Sequence, residues 1–260
     1  MLLDLLNRER TPDLSEFDRG ILVFYSLAVT TRPQLYELAG WDVHKVDSLM
    51  KRMRKMENKP GEWLQRWQPQ KRHPFCYTLG PAAIRRAKEL RREYVDEPKV
   101  VGAQAAHYLA INDVLVRLFK NGVEVGAWYG PRETGLWFYH EMEDTDSAPK
   151  IRPDAVAEVW GKPFALEVDL GTIPTPRMRA RMAKYLELAG KFPGMPDLVF
   201  IATTAPRRQA LARCLDRVMQ EMPELRPANP DWTVSFLLPP EVPAHLAGLS
   251  GLELPATHGR

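Results

Sequence analysis

The chain has 260 residues, 45% hydrophobic and 27% charged, with a formal net charge of +3; these values suit a globular protein of one or two domains. No apolar run approaches the ~20 residues of a membrane span. The two cysteines, Cys76 and Cys214, lie far apart and form no CxxC, which argues against a disulfide scaffold and an all-cysteine zinc site.

Charge is unevenly spread. Residues 1–92 carry 18 Lys and Arg against 11 Asp and Glu, whereas residues 93–260 carry 18 against 22. Residues 51–92 alone hold 13 basic and 3 acidic residues. A positive block of this kind points to a polyanionic partner, nucleic acid first. A solvated basic face is the plain alternative.

The opening stretch, MLLDLLNRERTPDL, becomes charged after a few apolar residues, so a signal peptide is not expected and a cytoplasmic location is the simple reading. Asp13 or Ser15 then caps a predicted helix through Ala28, with Phe17, Ile21, Leu22 and Tyr25 at helical spacing. Thr31 before Arg32-Pro33 opens a short helix, with Leu35 and Leu38 inward and Gly40 as its stop. Asp42 caps the next helix, VHKVDSLMKRMRKM, whose Val46, Leu49, Met50 and Met53 form the buried stripe. His44, Ser48, Lys51 and Lys55 share the opposite face, flanked by Lys45 and Arg52.

A short helix, a Gly-containing turn and a longer helix with a basic face make helix-turn-helix grammar. The segments WLQRWQ and HPFCYTLG follow as strands joined by a polar turn, where Lys71 and Arg72 would form a basic wing. PAAIRRAKELRREY is a further amphipathic helix. A winged helix-turn-helix over residues 1–98 is therefore expected, bounded by EYVDEPKV, where the charge changes sign. A helical domain that never touches DNA is the competing reading.

From residue 99 to residue 260 the pattern alternates helices and strands. AQAAHYLAINDVLVRLFKNG reads as a helix, VEVGAWY and GLWFYH as strands, and EMEDTDSAP as an acidic loop. Two strands then span IRPDAVAEVWGKPFALEVDLGT, followed by the helix RMRARMAKYLELAG and the apolar strand DLVFIATT. RRQALARCLDRVMQEM is a helix, DWTVSFLLP a last strand, and the tail from Pro239 is expected to be irregular. This order predicts an α/β domain with a mixed sheet.

With Gly161-Lys162 as a two-residue turn, Trp160 pairs with Pro163, Asp154 lies opposite Asp169, and Val156 lies opposite Glu167. Asp154, Glu167 and Asp169 then project from one face. A three-residue turn would send Asp154 to the other face. Like charges on one patch repel, and two resolutions stay open. One is Mg²⁺, held by all three carboxylates, activating water for attack on a phosphodiester. The other is a salt-bridge cluster with Arg177, Arg181 or Lys184, which fall at i, i+4 and i+7 on the next helix. His107, in line with Ile111, Val114 and Leu118, reads as a core histidine, and Asp113 as a solvated ion pair with Arg117.

The order helix-strand-strand-strand-helix-strand, with Pro153-Asp154 and Glu167-x-Asp169, resembles the PD-(D/E)xK restriction-nuclease-like superfamily. Asp169 stands where that motif carries lysine, and Lys184 on the following helix is the candidate for a displaced one. The whole chain, over roughly residues 15–215, also resembles the replication-relaxation family of plasmids and mobile elements. The matching residues are His107 with Asn112-Asp113, Pro153-Asp154, Leu166 to Thr172 (LEVDLGT) and Lys184-Tyr185. The resemblance implies an N-terminal winged helix and a nuclease-like C-terminal domain acting on double-stranded DNA in replication, copy control or relaxation; a homodimer would be natural. Two functions remain open. One is a Mg²⁺-dependent endonuclease using Asp154, Glu167, Asp169 and Lys184. The other is a non-catalytic DNA-binding regulator on an inactive nuclease-like domain.

Overall fold

The structure is a computed structural model that describes residues 2–3, 13–39, 41–69, 71, 73–91, 102–135 and 151–251. Gly40, Arg72, the expected acidic loop and nearly all of the expected strand GLWFYH lie outside these residues; Gly135 is helical, not extended.

Helix α1 (Glu16–Leu27) starts at Ser15, whose hydroxyl accepts from the Asp18 amide at 3.1 Å. Strand β1 (Thr30–Thr31) follows, an element the sequence reading did not contain. Helix α2 (Arg32–Ala39) has Thr31 as its expected cap, accepting from the Gln34 amide at 3.4 Å. Helix α3 (Val43–Lys55) is capped by Asp42 and buries Val46, Leu49, Met50 and Met53, the stripe that periodicity predicts. Strands β2 (Leu64–Trp67) and β3 (Cys76–Leu79) join β1 in an antiparallel sheet of order β1-β3-β2, and helix α4 (Pro81–Arg91) closes the unit.

Helix α5 (Gly102–Lys120) leads into a five-stranded sheet of order β4-β5-β6-β7-β8: Val125–Tyr129, Ala155–Val159, Lys162–Asp169, Asp197–Ala202 and Val234–Leu237. The β4/β5 and β5/β6 pairs are antiparallel, and β6/β7 and β7/β8 are parallel, so the sheet is mixed as expected. Helices α6 (Thr175–Lys191) and α7 (Ala205–Glu221) are the crossovers between the parallel strands. The tail is not irregular from Pro239: a 3-10 turn (Pro239–Glu241) leads into helix α8 (Val242–Leu249), which packs on α5. Val242, Leu246 and Ala247 are buried there, and that apolar spacing outweighs the prolines, which sit at helix starts where no amide partner is lost.

Alternation along the strands divides the core between the two faces of the sheet. One face carries Ala157, Phe164, Leu166, Val199 and Ile201, and its apolar cluster runs without a break through α5 into α1, α3 and β3. The other face carries Val156, Ala165, Leu198 and Phe200 under α6 and α7. The boundary expected at residues 98/99 falls outside the described residues, and the core is continuous across it.

Polar contacts reinforce that joint. Fully buried Asn112 on α5 donates to the Leu27 and Val29 carbonyls at 3.1 and 2.7 Å. Gln34 donates to the Leu109 carbonyl at 2.9 Å and to Asp113 at 2.7 Å, so Asp113 is tied to α2 by a hydrogen bond the sequence reading did not foresee. Buried Glu133 accepts from the Ser26 hydroxyl at 2.8 Å and pairs with Arg91.

The β5–β6 hairpin turns one residue earlier than expected. Trp160 and Gly161 occupy the turn, with φ of 48° and 79°, so Val159 pairs with Lys162 and Ala155 with Leu166. Two successive left-handed residues are what a type I′ turn needs, and its twist matches that of the strands. Continuing this register puts Asp154 across from Glu167, not Asp169. Glu167 and Asp169 keep one face, the one under α6 and α7, while Asp154, one residue before β5, reaches His107 on α5.

Candidate functional site

The three carboxylates stand at the ends of β5 and β6, and each is met by a basic side chain from a different helix. Asp154 Oδ1 lies 2.9 Å from His107 Nε2 on α5, and its Oδ2 accepts from the Val168 amide at 2.7 Å. Glu167, 4% exposed, has its Oε1 contacted by Arg181 Nε at 3.0 Å, by the terminal guanidinium nitrogen at 2.5 Å and by the Tyr185 hydroxyl. Asp169, 2% exposed, pairs with Arg207 Nε of α7 at 2.5 Å and accepts from the Gly171 amide at 3.0 Å. Gly171 has a φ of 77°, which lets the chain fold back onto the carboxylate it leaves.

The electrostatics follow from burial and crowding. Burial, then the charge of Asp154, push the Glu167 carboxyl up to about 8, although Arg181 and Tyr185 oppose this. Burial pushes the His107 imidazole down, but the hydrogen bond to Asp154 and the charges of Asp154 and Glu167 outweigh it, so its pKa is raised. Burial and the adjacent Glu167 hold the Tyr185 phenol well above its ordinary range.

This donor set does not fit the expected Mg²⁺. A hard cation needs open, ionised oxygens, whereas Glu167 is occupied by a guanidinium and a phenol and favours its neutral form, and Asp169 is taken by Arg207. Among the described residues no three His, Cys, Asp or Glu side chains are grouped so as to hold a metal ion. Lys184, the expected displaced lysine, is exposed and lines the neighbouring cleft.

Sequence reasoning named Arg181 as a partner for the carboxylates, but read His107 as core, gave Tyr185 no part among the carboxylates and assigned no role to Arg207. Tyr185 lies one helical turn beyond Arg181, a spacing that signals a shared face. His107 and Arg207 left no local signal, because their partners lie far along the chain.

The expected nucleic-acid face is only partly assembled. His44, Ser48, Lys51 and Lys55 are all exposed on α3. Lys45 is drawn aside, 3.6 Å from Glu16 and over the Trp41 ring, and Arg52 stacks over Phe17 at 4.3 Å. Lys71 is exposed in the β2–β3 connection, and Arg66 of β2 lies 4.6 Å from the exposed Phe75 ring.

The sequence profile of the replication-relaxation family matches residues 23–197, about two thirds of the chain and all three carboxylates. The chain belongs to the replication-relaxation family. Membership associates it with replication or relaxation. Searches of curated proteins and of solved structures found no significant match. The matched region spans α2, α3, α5, the β5–β6 hairpin and α6, so it takes in His107, Asn112, Arg181 and Tyr185, while Arg207 lies beyond it. Among the described residues no helix is long and apolar enough to cross a membrane.

Proposed function

We propose that this member of the replication-relaxation family binds double-stranded DNA through α3 and the β2–β3 wing, and that its α/β domain is a nuclease-like scaffold that does not cleave. The observation that supports the first part is the exposed row His44, Ser48, Lys51 and Lys55 on α3, the helix that follows α2, where a helix-turn-helix would carry its recognition helix. The order α1-β1-α2-α3-β2-β3, with a three-stranded antiparallel sheet, supports the winged-helix reading. A second copy of the chain is the natural partner on a two-fold DNA site.

The second part rests on the carboxylates. The order α5-β4-β5-β6-α6-β7 supports the nuclease-like architecture, but Glu167 and Asp169 are spent on arginines and Asp154 on His107. They fasten three helices to one end of the sheet. Catalysis by Asp154, Glu167, Asp169 and Lys184 is the rival reading, and the same strand order favours it.

Two measurements test the proposal. In fluorescence anisotropy with labelled duplex, Lys51→Ala/Lys55→Ala should make log K fall less steeply with log salt, by about 0.9 for each lost phosphate contact. An unchanged slope would remove α3 from the interface. In a plasmid-nicking assay with Mg²⁺ or Mn²⁺, no cleavage is expected. Metal-dependent cleavage that disappears in Glu167→Ala would restore the catalytic reading.

A further inference from the structure

Beside Glu167, the β5 end of the sheet and helix α6 enclose an open cleft of about 580 Å³. Its walls come from Ile151 and Arg152, from the turn at Thr172–Pro174, and from α6. Four lining side chains are cationic (Arg152, Arg177, Arg181 and Lys184), and no Asp or Glu lines it. A concavity lined by one sign of charge focuses potential and raises the local concentration of the opposite sign.

Arg181 is fixed at the wall of this cleft. Glu167 holds two of its nitrogens, and the terminal one also donates to the Arg152 carbonyl at 3.0 Å. Arg177 and Lys184 flank it on the same helix face and are exposed. Neither has a side-chain acid within ion-pair distance among the described residues. The amino end of α6 opens on the same cleft, and no side chain caps it. Its backbone dipole therefore adds positive potential to a site already built from cations.

We propose that this cleft binds the backbone phosphates of nucleic acid directly on Arg177, Arg181 and Lys184, with no bridging metal ion. The proposal rests on the reading that the chain acts on DNA and deepens it. The polarity is the reverse of a metal centre, because the anion meets guanidinium and ammonium groups and the carboxylate stands behind them. Lys184 is then a phosphate contact. Two binding surfaces on one chain would engage separate stretches of a strand or two segments of one duplex.

The test is anisotropy of the full chain with labelled duplex in EDTA, over a range of salt. Arg177→Ala/Lys184→Ala should flatten the slope of log K against log salt by about 1.8, which is 0.9 for each of two phosphate contacts. Both side chains are exposed, so the fold should survive, and the charge-preserving Arg177→Lys/Lys184→Arg should keep the original slope. An unchanged slope in the alanine pair overturns the proposal. So does binding that is lost in EDTA and recovered with Mg²⁺. Inorganic pyrophosphate at matched ionic strength separates backbone from free phosphate: capture of pyrophosphate by the parent chain, with the alanine pair still binding duplex normally, overturns the backbone assignment. The α3 variant keeps the two failures apart. If Lys51→Ala/Lys55→Ala flattens the slope and the cleft pair does not, the α3 reading stands and the cleft proposal falls; the opposite pattern keeps the cleft and removes α3.

Discussion

Replacing Glu167 with glutamine should remove much of the pH dependence of stability. Glu167 is 4% exposed, faces Asp154 across the hairpin, and has its carboxyl pushed from an ordinary value of 4.5 up to about 8. The folded state therefore holds a proton that the unfolded chain has released anywhere between those values. A raised folded pKa contributes stability that is full below the unfolded pKa and is lost as pH rises through the folded one. At about 1.4 kcal/mol per pH unit, this group alone costs roughly 2 kcal/mol between pH 6 and pH 8. His107, whose pKa is also raised, adds a loss of the same sign as it deprotonates. Urea unfolding at a series of pH values measures this directly. The parent should weaken by about 2 kcal/mol or more from pH 6 to pH 8, and Glu167→Gln, which still accepts from Arg181 and Tyr185, should weaken far less. Equal pH slopes would show that Glu167 is ionised throughout that range, and the argument against its open, metal-binding role would lose its electrostatic support.

Other substitutions separate buried from exposed pairs. Arg207→Met leaves Asp169 buried without its cation and should cost about 3–5 kcal/mol in urea unfolding, whereas Arg208→Met breaks an exposed pair with Glu241 and should leave the urea midpoint nearly unchanged. Asn112→Ala removes a buried donor to the Val29 carbonyl and one of the two donors to the Leu27 carbonyl, which keeps the Val29 amide, and should cost about 1–3 kcal/mol, with the amides at the end of α1 exchanging faster with solvent. Thermal unfolding with millimolar Mg²⁺ should match that in EDTA; a rise that Asp169→Asn removes would reinstate a metal site.

Much of this molecule was legible from residue spacing. The buried stripe of α3 follows from a 3.6-residue period, and the shared face of Glu167 and Asp169 follows from a period of two. The turn moved by one residue and the pairing by two, so Glu167 and Asp169 kept their face, while Asp154, just before β5, turned to His107 on α5. The pattern also carried the mixed sheet and the positive sign of the first unit. Tertiary structure decided which cation answers which carboxylate. His107, Arg181 and Arg207 arrive from three helices, and Arg207 lies 38 positions from its partner. It also made α5 a joint between two units, because Asn112 meets carbonyls 83 and 85 residues away. Local periodicity fixes the direction in which a side chain points. What it meets there depends on where the chain brings other helices, and that depends on the packing of the whole core.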